Sequence, residues 1–576
     1  MKIKHIISTA LLLPALALTS CLEETFPTSG ALAEQVATDL PGISNGIPAY
    51  LNRYNNTDNC DCGYPGLFSM QRDVMVGELP IVNGTYDYYQ YFLRQSYLGN
   101  WNLQQEMWIR YYAMVQKTNL VIGMVDLDNV STYDAPYIGD ALAYRAWTYS
   151  EMMQSYEYLP TGVASLDDYA TANDIWGLTV PIVTEKTSET DGRKNPRAPF
   201  YEMYRFILSD LDLAEKLLAN THVARGRDHF NLAGVYALKA RLWLTIATRF
   251  RLNPDDLATQ LEAESSETLA KYSKLNITTA NDCYANAASY ARLAIGEGAT
   301  PLTRQQWFDP STGFNSVNDS WLLAYIISTS DNLTTLIWQS FTGFISPEAS
   351  WGVCTPDYNA ARMINARLYE KIQAADWRKN TWIAPSDAGL QSAYNSTYSS
   401  LTNLTYDEWS KHSAYTGFKF HPAGGETVNS NTGIAISLPL IRIEEMYFIE
   451  AEALASTQGA AAGKQALESF MNTYRTEGGT YTCPSSAFDD VVTEIFNQKR
   501  IEFWGEGIVY FDFKRLRKAI ENGYPGTNQV EANWSNSYPD RVAPWTIYYI
   551  PNDERNKNTA LKLNPDPSQA IPLWTE

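Results

Sequence analysis

Carboxylates dominate the reactive side chains of this sequence: 64 Asp and Glu stand against 44 Lys and Arg. Adjacent acids occur at Asp167-Asp168, Asp255-Asp256 and Glu444-Glu445. Two carboxylates held roughly 5–10 Å apart could cleave a glycosidic bond. Spacing in a sequence does not fix that distance, and a solvated or helix-packing role is the expectation for each pair. Asp58, Asn59 and Asp61 offer oxygens to a calcium ion, but without the spacing of an EF-hand loop. Cys60-Asp61-Cys62 lacks the two-residue gap of a zinc knuckle, has no His nearby, and reads as a loop pair open to oxidation. There is no nucleophile elbow, HExxH, glycine-rich phosphate loop or CxxC pair. The expectation is a protein that is not an enzyme and needs no cofactor or metal, with a structural calcium ion left open.

A different chemistry is better represented. Tyr outnumbers Phe, 38 to 20, and 16 Trp accompany them. Tyr and Trp join a flat apolar face to a polar tip, which suits wet interfaces. Sugar rings offer C–H faces to such platforms, and their hydroxyls need Asn, Asp, Arg and Gln. Many of these aromatics must also fill seams between helices.

The elements that would position them are helices in pairs. Trp101–Leu127 carries Trp108, Tyr112, Val115, Asn119 and Ile122 on one face, and Ala135–Tyr158 carries Ile138, Leu142, Arg145, Tyr149, Met152 and Tyr156. Pro199–Asn220 pairs with Asn231–Phe250, Tyr284–Gly296 with Arg442–Ala455 across a long insertion, and Gly463–Arg475 with Phe488–Trp504. Stacked helix pairs are the mark of tetratricopeptide-like arrays, although insertions blur the period here. Segments 41–100, 160–198, 300–355 and 380–437 read as loop-rich with some short strands, and function gathers on loops held by a rigid scaffold.

Lys2 and Lys4 precede the apolar run Ile6–Leu18, too short to span a bilayer and right for a signal peptide. It ends Leu18-Thr19-Ser20-Cys21, which resembles a bacterial lipobox. Cys21 would then be lipidated, and several acyl chains would hold it at a membrane. Removing residues 1–20 takes two lysines and no acids, so 42 basic residues remain against 64 acidic ones. Such a balance argues against nucleic acid as a partner. Of the remaining cysteines, Cys60, Cys62, Cys283, Cys354 and Cys483 are odd in number, which argues against a full disulfide framework.

Two later stretches carry a family likeness. Leu438–Ala453 reads LPLIRIEEMYFIEAEA, and Glu494–Trp504 is followed by EGIVYFDFKRLRK from Glu506 to Lys518. Arg145–Pro160 and Thr355–Lys379, the latter ending Asp376-Trp377-Arg378, add two more motifs. Together they resemble the SusD/RagB family, surface nutrient-binding lipoproteins of Bacteroidetes-type bacteria that work with a TonB-dependent outer-membrane transporter. Arg500, Glu502, Glu506, Gly507, Asp512 and Arg515 fit the second motif; Gln498-Lys499 and Val509 depart from it. Glu23 and Glu24, just behind Cys21, resemble that group's surface-export signal.

The resemblance implies a mainly α fold: about four tetratricopeptide-like helix pairs in a right-handed superhelix, beside a loop-rich face carrying short strands. It divides the chain into a signal peptide (1–20), an anchor and tether (21–40), a part with the first two helix pairs (41–250) and a part with a ligand-binding insertion and the last two pairs (251–576), the last two parts forming one interwoven body. It implies an outer-membrane location, lipid-anchored and facing outward, with a SusC-like transporter as partner. The charged sets around Arg442 and Glu502 are read as structural.

The family's ligand site is formed by the segment before the first pair and by the middle insertion. Here these contain Tyr86-Asp87-Tyr88-Tyr89 and Trp307-Phe308-Asp309, each joining a stacking face to an acceptor. The candidate ligand contacts are Arg72, Asp73, Tyr86, Tyr88, Tyr89, Trp307, Phe308, Trp321 and Trp351. The leading expectation is a non-catalytic surface protein that captures a glycan and passes it on. Alternatives are peptide cargo on the same fold, a surface glycoside hydrolase, and a scaffold that only docks the transporter.

Overall fold

The computed structural model describes residues 39–54, 62–89, 98–221, 223, 225–529 and 537–569. Cys21, the tether before residue 39, and Asp58, Asn59, Cys60 and Asp61 lie outside the described residues. Cys62, Cys283, Cys354 and Cys483 are buried thiols.

Eight helices build the frame: α1 (Asn102–Ile122), α2 (Ala135–Tyr156), α3 (Phe200–Leu218), α4 (Leu232–Leu252), α5 (Ala280–Gly296), α6 (Ile443–Gln458), α7 (Ala460–Tyr474) and α8 (Phe488–Glu502). Each of α1 to α7 packs on the next, and α8 packs on both α6 and α7. This is the mainly α, tetratricopeptide-like stack that the apolar stripes predict. Local chemistry sets the starts. Asn231 caps α4 by accepting from the N–H of Gly234, and Thr279 and Asp282 form a capping box on α5. The α4 stripe of Val235, Leu238, Leu242 and Ile246 is sealed from solvent. In α2, nearly every side chain is buried, because α1 and α3 cover both of its sides. Its Arg145 is neutralised by a two-bond fork to Asp210 of α3, at 2.7 and 2.8 Å, and by Glu185.

The insertion between α5 and α6 contains a two-stranded antiparallel sheet, β1 (Trp321–Ile326) with β2 (Ser437–Arg442). Pro439 sits in β2 opposite Ala324. A proline is tolerated because each strand of a two-stranded sheet is an edge. The N–H of Ala324 turns instead to the carbonyl of Arg227, at 2.7 Å, tying the sheet to the α3–α4 connection.

Two sequence expectations need correction. Arg442 ends β2 and does not belong to the helix after it, because the apolar run before it pairs with β1. Segment 41–100 is not uniformly loop: Leu40–Ala49 and Pro65–Met75 are helical. Two glycines and two prolines hide the first of these. Packing on α1 and α2, with Asp39 as cap, holds it against its poor intrinsic propensity.

Charged residues of the late motifs lie inside the frame. Glu502 accepts hydrogen bonds from Arg378, Arg442 and Arg475. Glu506 receives Arg442 and Lys419, while Asp376 receives Arg378 and Glu444 receives Arg475. Four cations thus meet four carboxylates, consistent with a structural role for the late-motif charges. The final described stretch returns to the first pair and to the helical segment before it. The indole N–H of Trp545 donates to the carbonyl of Met75 at 2.8 Å, and the backbone N–H of Tyr548 to that of Ser155 at 2.9 Å.

Candidate functional site

At least one acid of each adjacent pair is held by structure, and Asp168 and Asp255 are exposed. Asp167 accepts from Tyr158, Thr161 and Gly162, which holds its carboxyl below its ordinary range. Asp256 pairs with Arg249, Glu445 with Arg241, and Glu444 lies in the buried network. No group of three or more His, Cys, Asp or Glu among the described residues is placed to hold a metal ion.

Surface aromatics gather elsewhere. Tyr86 and Tyr358 are 38 % and 43 % exposed, and their rings meet edge to face at 5.0 Å. Asn83 joins them: its side-chain N–H donates to the carbonyl of Tyr358 at 2.8 Å, and its Oδ1 accepts from Thr85. Two residues along the chain, Tyr88 is half-buried and packs on Trp338 with centroids 5.3 Å apart and planes inclined by 37°. Ile337, 46 % exposed, adjoins Trp338 in the left-handed region, φ 53°, a costly conformation for a β-branched residue. The hydroxyls of Tyr86, Tyr88 and Tyr358 and the indole N–H of Trp338 make no hydrogen bond to any described residue. The result is two aromatic pairs with four polar tips that no described residue occupies. Flat apolar faces beside donors and acceptors match the alternating C–H and hydroxyl surfaces of a sugar.

The backbone explains which side chains surface. Along Tyr86-Asp87-Tyr88-Tyr89, Tyr86 is exposed and Tyr88 half-buried, while Asp87 and Tyr89 point inward. Tyr89 is sealed, edge-on to Phe344, with its hydroxyl 3.2 Å from the Cys62 sulfur.

Most of the other predicted contacts lie in the interior. Trp307 is 1 % exposed, donates through its indole to Thr381 at 3.0 Å, and covers the buried charges of Lys419 and Arg475. Phe308 packs beneath Arg304 and against Trp377, and Trp321 is enclosed in β1. Arg72 is internal, donating to Glu151 at 2.9 Å. Asp73 is enclosed at the N–H of Gly507, and burial pushes its carboxyl well above the usual range. Trp351 is half-buried and lies so close over Gly433 that an added Cβ there would stand 2.3 Å from the ring. Arg72, Asp73, Tyr89, Trp307, Phe308 and Trp321 are therefore corrected as candidates, because each is buried in the interior; Trp351 is half-buried, and its neighbour Gly352 packs on Gly343 beside Phe344. Tyr358 escaped the sequence reading. Its signal was the turn-forming setting Pro356-Asp357-Tyr358-Asn359, which places an aromatic ring on a loop.

Comparison with known proteins identifies the frame. Residues 299–566 match the family model described as SusD family, and residues 83–244 match one described as starch-binding associating with outer membrane. The chain belongs to the SusD family. Among curated proteins, the SusD-like protein P38 of Formosa agariphila is 21 % identical over 444 residues, covering 72 % of each chain. A solved SusD-like carbohydrate binding protein from Bacteroides vulgatus superposes with a TM-score of 0.64 at 17 % identity, covering 91 % of this chain and 97 % of that one. A SusD superfamily protein from the same species gives 0.62 at 12 % identity, covering 92 % and 99 %. At such identities the likeness establishes the shared fold. No helix among the described residues of this SusD-family protein is long and apolar enough to cross a membrane.

Proposed function

We propose that this protein is a non-catalytic, glycan-capturing lipoprotein of the outer membrane. Its ligand lies across the two aromatic pairs, Tyr86 with Tyr358 and Tyr88 with Trp338. The observation that carries this reading is the juxtaposition of those rings with four polar tips that no described residue uses. Family membership and the family description of outer-membrane starch binding support it. Cys21 anchors the chain by its acyl groups, facing outward, and the glycan passes to a SusC-like TonB-dependent transporter. The SusD-like division at residues 250 and 251 describes one body with the ligand insertion in its second part.

The test is affinity electrophoresis of the soluble form starting at Leu22, in gels cast with soluble starch and with plant, host and microbial polysaccharides. Retardation that is lost in Tyr86→Ala and in Trp338→Ala supports the reading. Retardation that survives both substitutions moves the site elsewhere, and retention by peptide pools with none by any glycan overturns the glycan assignment. Co-purification of a large β-barrel after mild detergent extraction tests the transporter step.

A further inference from the structure

The three chain segments that carry the surface rings converge on a single guanidinium. Arg362 is fully buried. Its Nη1 and Nη2 form a two-bond fork to the Asp87 carboxylate, the second bond at 3.0 Å, and its Nε donates to the carbonyl of Phe344 at 2.8 Å. Asp87 sits between Tyr86 and Tyr88 and also accepts from the N–H of Tyr89. Phe344 is the ring on which both Tyr88 and Trp338 rest, at 6.1 and 6.0 Å. Tyr358 lies four residues before Arg362 on the same strand of chain. Every ring of the platform is therefore at most one packed neighbour, or a few residues of chain, from Arg362.

We infer that Arg362, acting through Asp87 and Phe344, is a positioning residue that sets the spacing of the two aromatic pairs and so the shape of glycan they accept. This rests on the reading of the platform as the glycan surface. A buried ion pair is a weak way to gain stability, since desolvation offsets most of its attraction. It is a strong way to fix direction: the planar fork demands a coplanar carboxylate, and a lysine cannot reproduce it. Surface rings otherwise have few contacts to hold their separation. With Arg362 in place, Asp87 cannot rotate, and Tyr86 and Tyr88 keep opposite ends of one anchored turn.

The experiment labels the soluble protein with 5-fluorotryptophan and assigns the fluorine resonances of Trp338 and Trp307 by their loss in Trp338→Phe and Trp307→Phe. Arg362→Lys keeps the charge and loses the fork; Asp87→Asn is the second variant should the first not fold, with folding checked by thermal unfolding. The expected result is a shifted or broadened Trp338 resonance, an unmoved Trp307 resonance, and weaker retardation in every gel that retards the parent. Trp307→Ala, which lowers stability away from the platform, should leave the same retardation unchanged, so general destabilisation does not account for the weakening. An unmoved Trp338 resonance in a folded variant overturns the proposal. A moved resonance with retardation indifferent to Trp338→Ala keeps the positioning role and sinks the glycan reading. Retardation lost in Trp338→Ala but unchanged in Arg362→Lys does the reverse.

Discussion

Arg475 grips Glu502 with two parallel bonds, Nε to Oε2 and Nη2 to Oε1, each 2.8 Å long, where neither side chain meets solvent. Burial alone would raise the Glu502 carboxyl, but Arg475, Arg442 and Arg378 hold it well below its usual range. Glu502→Gln leaves those cations under-compensated and is expected to cost about 3–5 kcal/mol, read by chemical denaturation at neutral pH. Because the folded value is depressed, the stabilisation is present above the unfolded value, about 4.3, and is lost as pH falls through the folded one. The gap between parent and variant should therefore shrink only below that pH. A constant gap down to the acid limit would contradict this assignment.

Lys514 also has a lowered folded value, but here the fold disfavours the charged form. It is enclosed between the carbonyls of Gln154 and Ser155, and burial brings its ammonium down to about 7. From pH 7 towards the unfolded value, about 10.4, the unfolded chain binds the extra proton, so stability should rise with pH. Comparing Lys514→Met with the parent between pH 7 and 9.5 isolates that slope, since other groups cancel in the difference. The parent should gain on the variant as pH rises; parallel curves would exclude the effect.

Trp307 separates the interior from the platform. Trp307→Ala removes a ring packed against Phe314 and Trp377 and over Lys419. It should lower stability by about 3–5 kcal/mol. In the protein that remains folded, retardation by glycan should be unchanged. Loss of retardation at full thermal stability would return Trp307 to the binding surface.

Gly507 is a backbone requirement. Its φ is +74°, and an added Cβ would lie 2.4 Å from the Cα of Ser69. Gly507→Ala is expected to destabilise by more than about 1 kcal/mol, since the left-handed backbone and the clash act together. Thermal unfolding checks this, and an unchanged midpoint would show that the two segments separate freely.

The helical frame was legible because its stripes repeat over four or more turns, as in α4, where Val235, Leu238, Leu242 and Ile246 keep one period. Short elements were not. Leu438–Ile441 is an apolar run that periodicity cannot divide between strand and helix, and pairing with Trp321–Ile326 decides it. The site was legible by region and not by residue. Aromatic type suggests a platform, but exposure depends on which side of a loop faces the frame. Tyr86 reaches solvent while Tyr89, three residues on, is sealed. The sequence motifs around Glu502 were read as structural, and the reciprocal pairing of Arg378, Arg442 and Arg475 gives the reason such charges can reside inside a protein.

The return of the C-terminal stretch has a temporal consequence. The Trp545 to Met75 hydrogen bond spans 470 residues, and the Tyr548 contact completes the floor beneath α2. A ribosome delivers the first helix pair long before it delivers these partners. That pair must wait, with part of its apolar surface uncovered, until almost the whole polypeptide has emerged. Closing so long a loop carries an entropy cost that grows only slowly with length, but it delays the last step of folding. Fragments ending before Trp545 should mature poorly, and the newly made chain keeps that surface open until those residues emerge.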